Sequence, residues 1–264
     1  MEILDKTIQL PFFWNELAQA ERCALLLDYD GTLAPFVVKR NEAKPYPGVA
    51  KLLRPLVQSP KCRTVLVSGR PVSEVIALLG VVPHPEIWGC HGWERMLSTG
   101  ELLRPNLDVE MQLGLGEMQA WAEGEGLGEA LEIKPYSIAF HWRGREGTGF
   151  HLQMDRVRQQ CIEAAKKWPL EFHEFDGGLE IRAAGRNKGT AVEAILQEID
   201  GKDPVAYLGD DKTDEDAFQA LGERGLCVLV RPEFRETRAD LWVKPPEELL
   251  EFLGKWLEAC EAKR

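Results

Sequence analysis

Asp28 and Asp30 stand two residues apart directly after the apolar run Cys23, Ala24, Leu25, Leu26 and Leu27, and Gly31 and Thr32 follow them. The run is too short for a helix of its own and fits a strand buried on both faces, as in a parallel sheet. Both carboxylates then lie at the carboxyl end of a strand, the edge at which open α/β sheets bind ligands. Gly31 lets the chain turn at once, so two like charges crowd one small site. Such a pair persists where a cation lies between the charges or where one carboxylate holds a proton. Either condition suits metal-dependent phosphoryl transfer. Taken alone, Asp-x-Asp-Gly is also the composition of a solvated turn, and the rest of the chain has to decide between the two.

Three later stretches share the same grammar. Residues 64–67 form a second β-branched apolar strand that ends in Ser68, Gly69, Arg70 and Pro71, a hydroxyl well placed to donate to a phosphate oxygen. Lys188 follows Asn187 at the start of a helix running to about residue 199. A cation there opposes the helix dipole, which favours anion binding over a structural role. Residues 205–208 form another buried strand, ending in Gly209, Asp210, Asp211, Lys212, Thr213, Asp214, Glu215 and Asp216. A helix amino terminus accounts for Glu215 and Asp216. For Asp210 and Asp214, hard oxygen donors with no His or Cys beside them suit Mg²⁺.

In order, Asp-x-Asp-Gly-Thr-Leu, Ser-Gly-Arg, Asn-Lys-Gly and Gly-Asp-Asp-x-Thr-Asp-Glu-Asp resemble the four motifs of the haloacid dehalogenase superfamily of phosphatases. The string Gly89, Cys90, His91, Gly92, Trp93, Glu94 resembles a signature of its trehalose 6-phosphate phosphatase branch. The resemblance implies that Asp28 is the nucleophile, that Asp30 is the acid and base, and that Ser68 binds phosphate. It implies that Lys188 neutralises the transferring group and holds Asp28. Mg²⁺ is then bound by Asp28, the main-chain oxygen of Asp30 and Asp210, with Asp214 in support through water. Gly69, Arg70, His91 and Glu94 join the substrate-binding groups.

Residues 104–183 change the pattern. A helix at 107–125, strands at 131–134 and 137–142, a helix at 152–168 and strands at 170–175 and 179–181, the last two joined at Gly177 and Gly178, give the order αββαββ. Such a unit is a sheet with helices on one face. The expected fold class is α/β: a doubly wound parallel-sheet core of the haloacid dehalogenase type, residues 1–103 and 184–264, with an inserted α+β cap domain, residues 104–183. Within the core, residues 12–21 are expected as a helix covering one sheet edge. The strand at 227–230, the loop after it, the strand at 241–243 and the helix at 246–259 carry no further chemistry.

The inserted strands offer groups that donate to and accept from sugar hydroxyls: Glu132, Lys134, His141, Arg143, Glu180 and Arg182. Alternation puts Glu132 with Lys134 on one face of their strand, and Glu180 with Arg182 on one face of theirs. Residues 134–143 resemble the family's Lys…His-Tyr-Arg stretch, with Trp142 where tyrosine is usual. Glu180 matches a glutamate that the family uses on glucose hydroxyls. Charges are also ordinary on a solvated strand.

With 264 residues, a 44% hydrophobic fraction and a formal net charge of -11, the chain reads as a folded soluble protein with neither nucleic-acid nor anionic-membrane partners. Its six cysteines are scattered, without Cys-x-x-Cys, so reduced thiols are expected rather than a zinc site or a disulfide framework. An amino terminus with Glu2 and Asp5 and no long apolar run suggests neither a signal peptide nor a membrane span, hence a cytoplasmic location. The combined expectation is a Mg²⁺-dependent hydrolase acting on trehalose 6-phosphate through an aspartyl phosphate, its partner a small sugar phosphate, functionally coupled to a trehalose 6-phosphate synthase. Two rival readings fit the same motifs. One is a phosphatase for sucrose, glucosylglycerate or mannosylglycerate phosphate, which only the cap can separate. The other is a catalytically silent sugar-phosphate sensor or regulatory domain beside a synthase.

Overall fold

A computed structural model describes residues 1–37, 39–142, 148–175 and 177–262. In chain order the elements of the first stretch are β1 (Glu2–Ile3), α1 (Leu10–Gln19), β2 (Cys23–Leu27), α2 (Val49–Gln58), β3 (Cys62–Val67), α3 (Val72–Leu79), β4 (Glu86–Gly89), β5 (Glu94–Met96) and β6 (Leu102–Leu103). The next are α4 (Val109–Gly124), β7 (Leu131–Lys134), β8 (Ser137–His141), α5 (Thr148–Lys167), β9 (Leu170–Phe175) and β10 (Gly178–Ala183). Then come α6 (Lys188–Gln197), β11 (Val205–Gly209), α7 (Asp214–Leu221), β12 (Leu226–Val230), β13 (Leu241–Val243) and α8 (Glu247–Glu261). The chain divides into two compact units, one of Met1–Leu103 with Asn187–Arg264 and the other of Arg104–Arg186.

The larger unit is built on one sheet in the order β1-β13-β12-β11-β2-β3-β4-β5-β6. From β13 to β4 all neighbours are parallel, and antiparallel β1 and β5-β6 close the two sides. β2 lies between β11 and β3 and is buried along its whole length. Its alternation feeds two cores. Leu25 and Leu27 pack with Leu53, Leu56, Val75, Phe252 and Trp256 of α2, α3 and α8. Ala24 and Leu26 pack with Val192, Ile195, Phe218 and Leu221 of α6 and α7. Helices on both faces of a parallel sheet demand strands of this continuous apolar kind. Burying each such leucine contributes about 1.5–3 kcal/mol, so a charge at Leu26 would break the layer.

One expectation is corrected. α1 sets Phe13 and Trp14 against Phe252 and Trp256 of α8, with ring centroids 5.1 to 6.2 Å apart, so it packs on a helix. The edge beyond β13 is formed instead by β1, with Glu2 opposite Trp242. Aromatic area outweighs the two-residue edge that the same helix could have covered.

The inserted unit is an antiparallel sheet in the order β7-β8-β10-β9. Ile138, Phe140, Leu179 and Ile181 of one face pack with Leu115, Met118, Ala122, Val157, Cys161 and Ala164 of α4 and α5. Alternation therefore turns Glu132, Lys134, Ser137, His141, Glu180 and Arg182 to the opposite face. Ala184 N–H and Gly185 N–H bond Pro169 O and Glu171 Oε1, so residues 184–186 stay with this unit. Among the described residues, no helix is long and apolar enough to cross a membrane.

Candidate active site

β2 delivers Asp28 directly: its N–H still donates to Leu208 O at 2.8 Å, so the β2–β11 ladder fixes the residue at the carboxyl edge. The turn that follows is tight, with the N–H groups of Leu33 and Ala34 both on Tyr29 O. Gly31 takes φ +85°, and a Cβ there would lie 2.2 Å from Asp210 Oδ2. No larger residue fits on either count. Thr32 Oγ1 donates to Asp28 Oδ2 at 3.2 Å.

α6 opens with a reciprocal cap, in which the Asn187 side chain accepts Thr190 N–H at 2.8 Å and Thr190 Oγ1 accepts Asn187 N–H at 3.0 Å. Lys188 is the next residue. Its ammonium donates to Asp28 Oδ1 at 2.7 Å and to Asp214 Oδ1 at 2.8 Å, with all three side chains buried. Asp214 also accepts Tyr207 O–H at 2.6 Å and the N–H groups of Asp210 and Asp211 at 3.1 and 3.0 Å. Protein donors thus engage both of its oxygens. Asp210 is the opposite case: its Oδ1 is buried and accepts no hydrogen bond among the described residues.

Arg235 Nε donates to Asp210 O at 3.0 Å and its Nη2 to Asp211 O at 2.7 Å, while Nη1 pairs with Glu215. Arg231 adds a bond to Asp210 O at 3.4 Å. The acidic loop is therefore held by a segment expected to carry no further chemistry, and that expectation is corrected. Nothing local marks these two arginines, because their partners lie 20 to 25 residues away.

Asp28, Asp210 and Asp214 place carboxylate oxygens within 4.8 Å of one another, with one ammonium among them. Burial, with Asp214 nearby, pushes Asp28 up to about 7 despite Lys188. Burial and the charges of Asp28 and Asp214 hold Asp210 well above the ordinary carboxylate range. Burial alone would lower Lys188, but Asp214 and Asp28 overcome it and raise the ammonium above the usual lysine value. An excess of negative charge, an oxygen-only donor set and an orphaned Asp210 Oδ1 fit a hard divalent cation such as Mg²⁺.

The other core residues singled out in the sequence divide by what they touch. Ser68, at the end of β3, is buried and accepts Arg70 N–H at 3.1 Å, while its hydroxyl hydrogen meets no acceptor among the described residues. Gly69 lies under the His91 ring, where a Cβ would stand 2.7 Å from ring atoms. His91 and Cys90 both take left-handed backbone, φ 57° and 48°, which is strained for residues with a side chain. His91 N–H on Ser68 O at 2.9 Å and Cys90 N–H on Arg70 O at 2.8 Å tie that strain to the β3 turn. Arg70 grips Asp30 with both prongs, Nε to Oδ2 at 2.6 Å and Nη2 to Oδ1 at 2.7 Å, and also bonds Glu74. Glu94 is fully buried and accepts the first N–H of α3, from Val72, at 2.8 Å.

On the inserted sheet, Lys134 Nζ and Ser137 Oγ both donate to Glu180 Oε1, at 2.9 and 2.7 Å. His141 Nε2 lies 2.6 Å from Glu132 Oε2. Arg182 is buried, and its three guanidinium nitrogens find no hydrogen-bond acceptor among the described residues; Glu171 stands 3.6 Å away. Ser137 and Glu171 were not anticipated, since neither residue type stands out on a charged strand. Arg143 lies outside the described residues.

The chain matches the sequence profile of the family described as trehalose-phosphatase over residues 26–239. It belongs to the trehalose-phosphatase family. The trehalose-phosphatase match starts inside β2 and stops just before β13, so the Asp28 cluster and the inserted unit both lie within it. Over 235 residues, 87% of this chain, it is 31% identical to alpha,alpha-trehalose-phosphate synthase (UDP-forming) B of Dictyostelium discoideum. Over 220 residues, 83% of this chain, it is 30% identical to the bifunctional trehalose-6-phosphate synthase/phosphatase of Thermoproteus tenax. The chain spans 29% and 30% of the lengths of these two relatives. In fold it is similar to the C-terminal domain of a trehalose-6-phosphate phosphatase of C. albicans, with a TM-score of 0.82, 23% identity, and 97% and 99% of the two chains covered. The trehalose-phosphatase core seen here is accordingly of the haloacid dehalogenase type, with an inserted α+β cap.

Proposed function

We propose that this chain hydrolyses trehalose 6-phosphate to trehalose and phosphate, with Mg²⁺ as its metal and Asp28 as its nucleophile. The observation that carries the reading is the buried Lys188 ammonium shared by Asp28 and Asp214 beside an Asp210 oxygen that has no hydrogen-bond partner among the described residues. Asp28, the main-chain oxygen of Asp30 and Asp210 would hold Mg²⁺, with Asp214 supporting them. Bound there, the cation would keep Asp28 ionised and offset the negative charge of the phosphoryl group.

The chain's own groups account for the rest. An Asp28 oxygen attacks phosphorus in line, forming the O–P bond of an aspartyl phosphate as the bond to the sugar oxygen breaks. Lys188, already aimed at Asp28, neutralises the equatorial oxygens, and the Ser68 hydroxyl donates to one of them. Asp30 gives its proton to the departing sugar oxygen and then takes one from the water that hydrolyses the acyl phosphate. Both Asp30 oxygens rest on Arg70, so proton delivery requires the carboxylate to turn away from that guanidinium. The charged face of the inserted sheet recognises the sugar. There Arg182 has donors without acceptors among the described residues, and Glu180, Lys134, Glu132 and His141 offer both kinds of group. Relatives whose names join synthase and phosphatase support functional coupling to a trehalose 6-phosphate synthase.

Borohydride trapping tests the nucleophile. Reduction during turnover should convert residue 28, and no other aspartate, to homoserine. An unmodified residue 28 under turnover would remove Asp28 from the role.

A further inference from the structure

Three of the six cysteines, far apart in sequence, meet at the amino-terminal edge of the core sheet. Cys23 begins β2, Cys62 begins β3, and Cys260 lies in the last turn of α8. Their sulfurs all fall within 4.8 Å of one another, and Cys23 Sγ stands 3.7 Å from Cys260 Sγ. Two thiolates on one tetrahedral Zn²⁺, at about 2.3 Å each, are separated by about 3.8 Å. A disulfide needs about 2.05 Å, so the spacing matches shared coordination and not a bond between the sulfurs.

The surroundings are those of a thiolate site. Trp256, one turn before Cys260 on α8, donates its indole N–H to Cys62 Sγ at 3.4 Å, and Thr64 Oγ1 lies 3.6 Å from the same sulfur. Such donors orient a ligand sulfur and stabilise its charge. Lys61 Nζ bonds Ala18 O and Ala259 O at 2.9 Å each, placing a cation beside the cluster and pinning the end of α8. Cys260 is partly exposed, and a cleft of about 190 Å³ lined by Arg22, Cys23, Lys61 and Cys62 reaches the other two. Five residue steps along β2, about 16 Å, separate Cys23 from Asp28, so the cluster is not part of the carboxylate site.

We propose that Cys23, Cys62 and Cys260 form a three-thiolate Zn²⁺ site that staples the carboxyl-terminal helix to the start of β2 and β3. Binding displaces three thiol protons and leaves one position for water, a softer chemistry than the oxygen site at Asp28 can offer.

The test uses the full chain, reduced, with Mg²⁺ in excess, and Co²⁺ as the spectroscopic probe. One Co²⁺ per chain should bind with sulfur-to-cobalt charge-transfer absorption, Zn²⁺ should displace it, and Zn²⁺ should raise Tm. Cys260→Ser and Cys260→Ala should both lose the band and the Tm rise while keeping the Mg²⁺-dependent activity and the metal-free Tm. Cys161→Ser, in the inserted unit, should keep the band. A wild-type protein without the band, a band that survives both Cys260 variants, or a Cys23–Cys260 disulfide found by non-reducing mass spectrometry would overturn the site.

Discussion

Lys188 Nζ and Asp28 Oδ1 lie 2.7 Å apart although 160 residues separate them, and each side chain is only 4% exposed. The same ammonium holds Asp214 at 2.8 Å, so one cation fixes the first strand end against the acidic loop. Replacing Lys188 by Ala leaves two buried carboxylates facing each other, which costs about 3–5 kcal/mol when one partner of a buried pair is removed. Lys188→Ala should therefore lose turnover and unfold at markedly lower urea. Its raised folded value means that this stabilisation is full below the ordinary lysine value of 10.5 and fades only as pH climbs beyond it. A variant with wild-type midpoint at pH 7 would show the bridge to be idle.

Asp28 gives a pH signature of opposite sense to most carboxylates. Its folded value is raised from 3.8 to about 7, so the metal-free native state binds the proton more tightly than the unfolded chain does. Stability from this group is present below pH 3.8 and is lost as pH rises towards 7. In EDTA, the Tm advantage of Asp28→Asn over wild type should widen across that interval, and Mg²⁺ should narrow it again. An advantage that shrinks with rising pH would contradict the assignment.

Asp210 and Asp214 should fail in different ways. Asp214 satisfies Lys188, Tyr207 and two backbone N–H groups, so Asp214→Ala should destabilise the fold by about 3–5 kcal/mol. Asp210 Oδ1 accepts no hydrogen bond among the described residues, so Asp210→Ala should leave the urea midpoint close to wild type yet raise the Mg²⁺ needed for half-maximal activity the more strongly of the two. Mg²⁺ titrations with the reverse order would exchange the two roles.

Much of this was legible in the chain because it is local. Leu25 to Leu27 announce a two-sided strand by composition, and Asp28, Ser68 and Asp210 follow such strands directly. The αββαββ order of the insertion is written in its periodicity, although Gly178, expected in the turn, begins β10 opposite Phe175. What was not legible is pairwise and distant. Arg70, expected among the substrate-binding groups, also grips Asp30, forty residues away, and Glu94, expected with it, accepts the first N–H of α3. Arg235 gripping the Asp210 loop, and three cysteines meeting at one sheet edge, depend on parallel strand order, which no short pattern encodes.

The sugar-recognition proposal has its own check. Glu180 is tied to both Lys134 and Ser137, so Glu180→Ala and Lys134→Ala remove parts of one network and should be far from additive. Each should cut turnover of trehalose 6-phosphate severely, a loss of about 10²-fold or more, and leave p-nitrophenyl phosphate nearly untouched. Equal losses on the two substrates would mean that these residues serve the fold and not the sugar.

Phosphate release measured across a panel of sugar phosphates, with Mg²⁺ and without, bears most directly on the activity itself. The full chain should hydrolyse trehalose 6-phosphate with a higher kcat/KM than sucrose 6-phosphate, glucose 6-phosphate, glucosylglycerate phosphate or mannosylglycerate phosphate, and only when Mg²⁺ is present. A higher value on any of the others would contradict the substrate, and no release from any of them would contradict the enzyme.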